Sequence, residues 1–168
     1  MKWIKYITIL SCFLSTFVFA QSDNKWMGNT KLTVSYFHLG SYSKERPLLF
    51  LDQSFEYVVA PKFRIGLGTG VNLYPANLTI PVFADFKYIT ELNRMGFFIH
   101  QSYGYNLKLG DVGFFSHRFN GGFGFNIRLS EKLTLDPELG YVLNLDNFGG
   151  GSLSFTAAVG LYYPIGRK

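Results

Sequence analysis

The sequence contains one cysteine, Cys12, and it falls inside an apolar N-terminal stretch. The mature chain is therefore expected to have no thiol, which excludes a disulfide framework and a cysteine nucleophile. Charge is scarce too. Charged residues make up 16% of the chain, against about a quarter in ordinary soluble domains. No run of Lys and Arg occurs, so nucleic acid is not an expected partner. After Ala20 no stretch approaches the roughly 18 unbroken apolar residues of a helical membrane span. No metal-ligand spacing appears. Gly66-Leu67-Gly68-Thr69-Gly70 lacks the order of a dinucleotide loop. Neither a metal nor a cofactor is expected.

What is present points to β structure. Aromatic residues reach 18% and Gly occurs 18 times. Disordered chains are poor in aromatics. Lys2 and Lys5 open the chain, an apolar stretch follows from Tyr6 to Phe19, and Val18-Phe19-Ala20 sets small residues where a signal peptidase reads. That order predicts a secretory signal peptide over residues 1–20 and one domain over residues 21–168. Ile9-Leu10-Ser11-Cys12 puts bulky Leu10 where lipoprotein processing needs a small residue, so Cys12 is expected to leave with the leader. Loss of Lys2 and Lys5 also takes the formal charge from +5 to +3, a weak bias.

Period-two alternation recurs through the rest. Over 132–145, Leu133, Leu135, Pro137, Leu139, Tyr141, Leu143 and Leu145 share one face of a strand, while Thr134, Asp136, Glu138, Gly140, Val142 and Asn144 share the other. The same pattern marks 49–59, 63–73, 78–89, 95–107, 119–129 and 152–163, with a weaker first strand over 31–40. Eight strands are expected. The connections at 60–62, 91–94 and 130–132 are short, and those at 41–47, 108–114 and 146–151 are longer. Residues 75–77 are short where a long loop would fit the series.

Such alternation suits either a soluble barrel with its apolar face inside or a membrane barrel with that face outside. An eight-stranded interior is just wide enough to be filled by side chains or to hold one small ligand. The apolar face carries Phe63, Phe86, Phe97, Phe123, Phe125 and Phe155, and the opposite face carries Gly66, Gly68, Gly70, Gly104, Gly122 and Gly124. Small residues fit a narrow lumen and bulky ones a lipid boundary. The fold class expected is therefore all-β, a closed eight-stranded antiparallel up-and-down transmembrane β-barrel. Closure pairs every backbone polar group, as lipid requires. Tyr57, Tyr88, Tyr103, Tyr105, Tyr141 and Tyr163 are candidates for the interfacial aromatic girdles.

With Arg64-Ile65-Gly66-Leu67-Gly68-Thr69-Gly70, Ile80-Pro81-Val82-Phe83-Ala84-Asp85-Phe86-Lys87-Tyr88, Leu129-Ser130-Glu131-Lys132-Leu133 and Ala158-Val159-Gly160-Leu161-Tyr162-Tyr163, the chain resembles the small bacterial outer-membrane β-barrels of the OmpA-like and OmpX-like kind. The resemblance implies a place in the cell outer membrane, with lipid, lipopolysaccharide and the barrel assembly machinery as partners, and a monomer. It says nothing of activity. Family members often end on an aromatic residue, whereas here Pro164-Ile165-Gly166-Arg167-Lys168 follows Tyr163.

Charges on the polar face suggest a structural network that plugs the lumen: Asp52, Glu56, Asp85, Asp136 and Glu138 facing Arg64, Lys87, Arg128 and Arg118, with His100 among them. Buried charges are costly unless paired. Lys44, Arg46, Lys108 and Arg118 are candidate contacts for lipopolysaccharide phosphates. Enzymes of this family that modify lipid A use a His with a nearby Ser and a carboxylate. The mature histidines would be His38, His100 and His117. In Ser116-His117-Arg118 the residue two places after His is Phe119 rather than Ser, and His100 could meet Asp85 with no serine beside them. No catalytic residue and no enzymatic activity are expected. A structural or envelope-interaction role is the first reading. A narrow pore for ions or small solutes is the second, ahead of a soluble lipocalin-like carrier or a lipid A enzyme.

Overall fold

The computed structural model describes residues 25–40, 48–73, 78–92, 95–108, 115–146 and 150–165; the leader expected over 1–20 lies outside them. The eight strands are β1 (Trp26–Gly40), β2 (Leu48–Ala60), β3 (Phe63–Leu73), β4 (Leu78–Leu92), β5 (Met95–Lys108), β6 (Phe115–Ser130), β7 (Leu133–Asp146) and β8 (Gly151–Pro164). Each pairs antiparallel with its sequence neighbours, and β1 pairs with β8 to close the barrel. Strands of 11 to 16 residues meet or exceed the roughly 9–11 needed to cross a bilayer at a tilt. The short turns β2–β3, β4–β5 and β6–β7 share one end of the barrel with Trp26 and Pro164, here named the turn end. The other is the loop end.

Local chemistry explains the interruptions. Proline has no N–H for the ladder. Between β3 and β4 the register runs from Thr69↔Val82 to Asn72↔Thr79, leaving a gap beside Pro81. There the Thr69 hydroxyl donates to the Pro81 carbonyl at 2.8 Å. A second gap lies between Gly124↔Glu138 and Ile127↔Leu135, beside Pro137. In β1 the register against β8 shifts between Ser35 and Phe37. A bulge adds one residue and breaks strict alternation, so Tyr36 and Phe37 are both exposed.

The wall is apolar on the outside. Leu32, Leu51, Leu67, Phe86, Ile99, Phe123, Leu139 and Val159 take one position from each strand, and all are exposed. Leu67, at 71%, would be costly to present to water. Near the turn end Trp26 packs on Tyr57 with ring centroids 5.0 Å apart, and Phe63 on Tyr88 at 4.9 Å. Tyr36, Tyr103 and Tyr105 are exposed toward the loop end. The inside is packed with polar side chains, among them Thr33, Asp52, Glu56, Lys87, Arg118 and Thr156, all buried. Aromatic rings fill the rest of the bore where glycines leave room. A Cβ on Gly124 would run into the Pro137 carbonyl and stand 2.8 Å from the Phe98 ring, so any larger residue there must shift backbone as well as ring.

Candidate functional site

The candidate site is the lumen, and its layers follow from the register. At the loop end Asn72, Asn106 and Asn144 come from β3, β5 and β7. Asn72 Nδ2 donates to Asn106 Oδ1 at 2.9 Å. Asn106 Nδ2 donates to Asn144 Oδ1 at 2.9 Å and to Ser116 Oγ at 3.1 Å. An amide offers donors and an acceptor together, so three of them can chain across the bore and cap it.

Beneath this layer Arg118 of β6 reaches across to Asp52 of β2. Nη1 donates to Oδ1 at 3.1 Å and Nη2 to Oδ2 at 2.7 Å, a bidentate pair. The Phe50 and Phe83 rings flank the guanidinium, their centroids 5.7 and 5.3 Å from Cζ. Arg118 is 1% exposed. This corrects its assignment as a lipopolysaccharide contact, because a side chain committed inward cannot also reach an outer lipid.

The middle layer joins β1, β5 and β7. Lys31 Nζ lies 3.3 Å from His100 Nε2 and 3.6 Å from Glu138 Oε2. An ammonium only donates, so in this contact Nε2 is placed to accept from Lys31. Glu138 Oε1 stands 3.2 Å from Nδ1, an electrostatic contact without the alignment of a hydrogen bond. The expected meeting of His100 with Asp85 does not form. His100 lies opposite Lys87 in the register and Asp85 opposite Ser102, and His100 turns across the lumen instead. Asp85 is buried, and its Oδ1 has no hydrogen-bond partner.

Toward the turn end Lys87 pairs with Asp136. Asp136 Oδ1 also accepts from Asn126 Nδ2 at 2.7 Å. The Lys87 ammonium lies 3.8 Å from the Phe98 ring centroid and 3.9 Å from that of Tyr162. Tyr162 donates its hydroxyl to Glu56 Oε1 at 2.8 Å and accepts from Asn29 Nδ2 at 2.9 Å. Arg64 stacks over the same ring at 5.4 Å. Arg128 stays outside the network. It is exposed, two residues from the end of β6 and beside a register shift.

Of the proposed surface cations, Lys44 and Arg46 lie outside the described residues, and Lys108 is the last residue of β5. His117 faces outward while Ser116 turns inward to Asn106, so these neighbours cannot act as base and nucleophile. Sequence reading missed Lys31, Asn29, Phe50 and Tyr162 as parts of the interior. Only the alternation around them could have shown it, since Lys31 stood at the edge of the weakest strand.

No protein-family model matches the chain, and no curated protein matches it in sequence. Solved structures do share its fold. Neisserial surface protein A aligns with a TM-score of 0.62 at 12% identity, over 83% of this chain and 95% of that one. The N-terminal β-barrel domain of Pseudomonas aeruginosa OprF aligns with a TM-score of 0.58 at 11% identity, over 85% and 100%. The outer membrane enzyme PagL aligns with a TM-score of 0.51 at 15% identity, over 82% and 99%. This last likeness corrects the expectation that enzymatic activity is absent: an enzyme is built on the same architecture, so the barrel gives no ground for that expectation. The closed ladder and the apolar wall make the chain an eight-stranded transmembrane β-barrel, and its fold is the one shared by these outer-membrane barrels.

Proposed function

We propose that this barrel is sealed along its axis and serves a structural or envelope-interaction role through its outer wall and rims. It is read with the OmpA-like and OmpX-like kind, from its strand count and its alternation of short turns and longer loops. One observation carries the reading: side chains from every part of the bore meet across it. The asparagine layer, Arg118–Asp52, Lys31–His100–Glu138 and Lys87–Asp136 succeed one another from loop end to turn end. A permeating ion would have to part charged pairs that are nearly dry, and uncovering a buried charge costs several kcal/mol.

The test is conductance in planar bilayers. The wild-type barrel should show no steady channel. Replacing the crossing residues Arg118 and Asp52 with Gly and Ala together should open small, brief currents. Steady wild-type conductance, with current set by the charge at Lys31 and Glu138, would establish the narrow pore instead.

A further inference from the structure

One cluster on the outer wall has no part in the lumen. His117 stands opposite Tyr105 on one side and Leu145 on the other, two residues from the loop-end start of β6. Tyr103 lies diagonally below. Its hydroxyl is 2.9 Å from His117 Nδ1 and 3.3 Å from the Tyr105 hydroxyl. The Tyr103 and His117 rings stack at 6.1 Å, and the Tyr105 ring lies 5.0 Å from His117. Phe119 packs on Tyr103 at 4.7 Å, and from there toward the turn end the wall is mostly apolar, with Gln101 the neighbouring exposed polar residue.

From these three groups we infer a binding site for the phosphate-bearing headgroup of a membrane lipid. Tyr103 has one proton to give. If it gives it to Tyr105, then His117 donates Nδ1–H to Tyr103, and the Tyr105 proton has no taker among the described residues. If it gives it to His117 Nδ1, then Tyr105 donates to Tyr103, and the ring proton lies on Nε2, again with no taker. Either way the relay ends in one unused donor on the outer face. Another polar group on that wall is treated differently. Gln53 is 4% exposed, and its amide is closed at both ends, accepting from Thr30 Oγ1 at 2.6 Å and donating to the Tyr163 hydroxyl at 2.9 Å. The His117 cluster is left open, with Tyr103 39% and Tyr105 43% exposed.

An unused donor in hydrocarbon is unfavourable, so the cluster belongs at headgroup depth, where acceptors are found. A phosphate satisfies it best, because hydrogen bonds to charged acceptors are about twice as strong as those to neutral ones. The stacked rings hold the donor in place before a lipid arrives. This inference rests on the reading that the barrel sits in a bilayer with its outer wall toward lipid.

The test uses the folded barrel in maltoside micelles, which carry no phosphate. Phosphatidic acid, diacylglycerol and inorganic phosphate are titrated separately, with native mass spectrometry for retained lipid and imidazole NMR signals for His117. Phosphatidic acid should bind about tenfold tighter than diacylglycerol and move the His117 signals, and His117→Leu or Tyr105→Phe should remove that preference. Equal binding of the two lipids, or an unchanged preference in both variants, would overturn the site. Inorganic phosphate binding as tightly as the lipid would overturn the lipid assignment. Heat-modifiable migration and membrane extraction are measured alongside. A folded, membrane-resident barrel without phosphate preference defeats this site alone, whereas a chain that stays soluble without detergent defeats the bilayer reading beneath it.

Discussion

Leu51 and Asp52 are neighbours in β2 and live in different solvents. Leu51 is 41% exposed on the outer wall, and Asp52 is 3% exposed inside, held by Arg118. In a water-soluble barrel the two would exchange places. Here the polar side chains pack the bore and the apolar ones form the surface, because the surrounding phase rewards hydrocarbon outside and leaves charges to satisfy one another within. The lesson concerns specificity as much as stability. The wall asks only for hydrophobic bulk and tolerates many residues. The lumen needs particular partners, since a charge without its opposite is penalised by both phases.

That contrast can be attacked from either side. The largest effect should come from Arg118→Leu, which strands the Asp52 carboxylate and should cost about 3–5 kcal/mol in urea unfolding from lipid vesicles. Adding Asp52→Leu should recover most of the loss, as apolar replacement of a whole buried pair often does. A cost below about 1 kcal/mol would mean a wet lumen. Next is Leu67→Arg, near the middle of β3, expected to cost about 2–4 kcal/mol in the same assay. No cost would mean that the wall faces water. The smallest is Tyr163→Phe, which removes the hydrogen bond to Gln53 and should cost about 1 kcal/mol. A larger loss would mark the wall, too, as a place where partners matter.

The strands were legible because the period of two is carried by contrast between faces. Bulky Phe and Leu against Gly, Asn and Asp leave no other period, and β3 was read with its observed bounds. Where contrast fades, the reading failed. Trp26-Met27-Gly28-Asn29 has no clean alternation, so β1 starts five residues earlier than expected, and Phe115 to Arg118 was left out of β6. The bulge at Tyr36 has no signature of its own. Lumen partners were the least legible. Asp52 and Arg118 are 66 residues apart, and Lys87 and Asp136 are 49 apart. Each pair joins strands that are not adjacent, so neither register nor spacing points from one to the other. Sequence shows which faces are charged, and only the curvature of the closed sheet decides who meets whom.

The joint between β1 and β8 has a consequence for the order of assembly. Seven of the eight ladders link strands consecutive in the chain, but Met27↔Pro164 and Gly28↔Tyr163 bring together residues from the two extremes of the described chain. The Tyr163 ring lies over Gly28, where a Cβ would run into it. Loop entropy grows only logarithmically, so joining such distant segments costs about 3 kcal/mol more than a local hairpin. That toll is small in equilibrium terms and large in kinetic ones, since non-local pairing slows the search. Until β8 arrives, β1 remains an open edge able to capture strands from other chains, and pairing along the β1–β8 ladder is what ends this exposure.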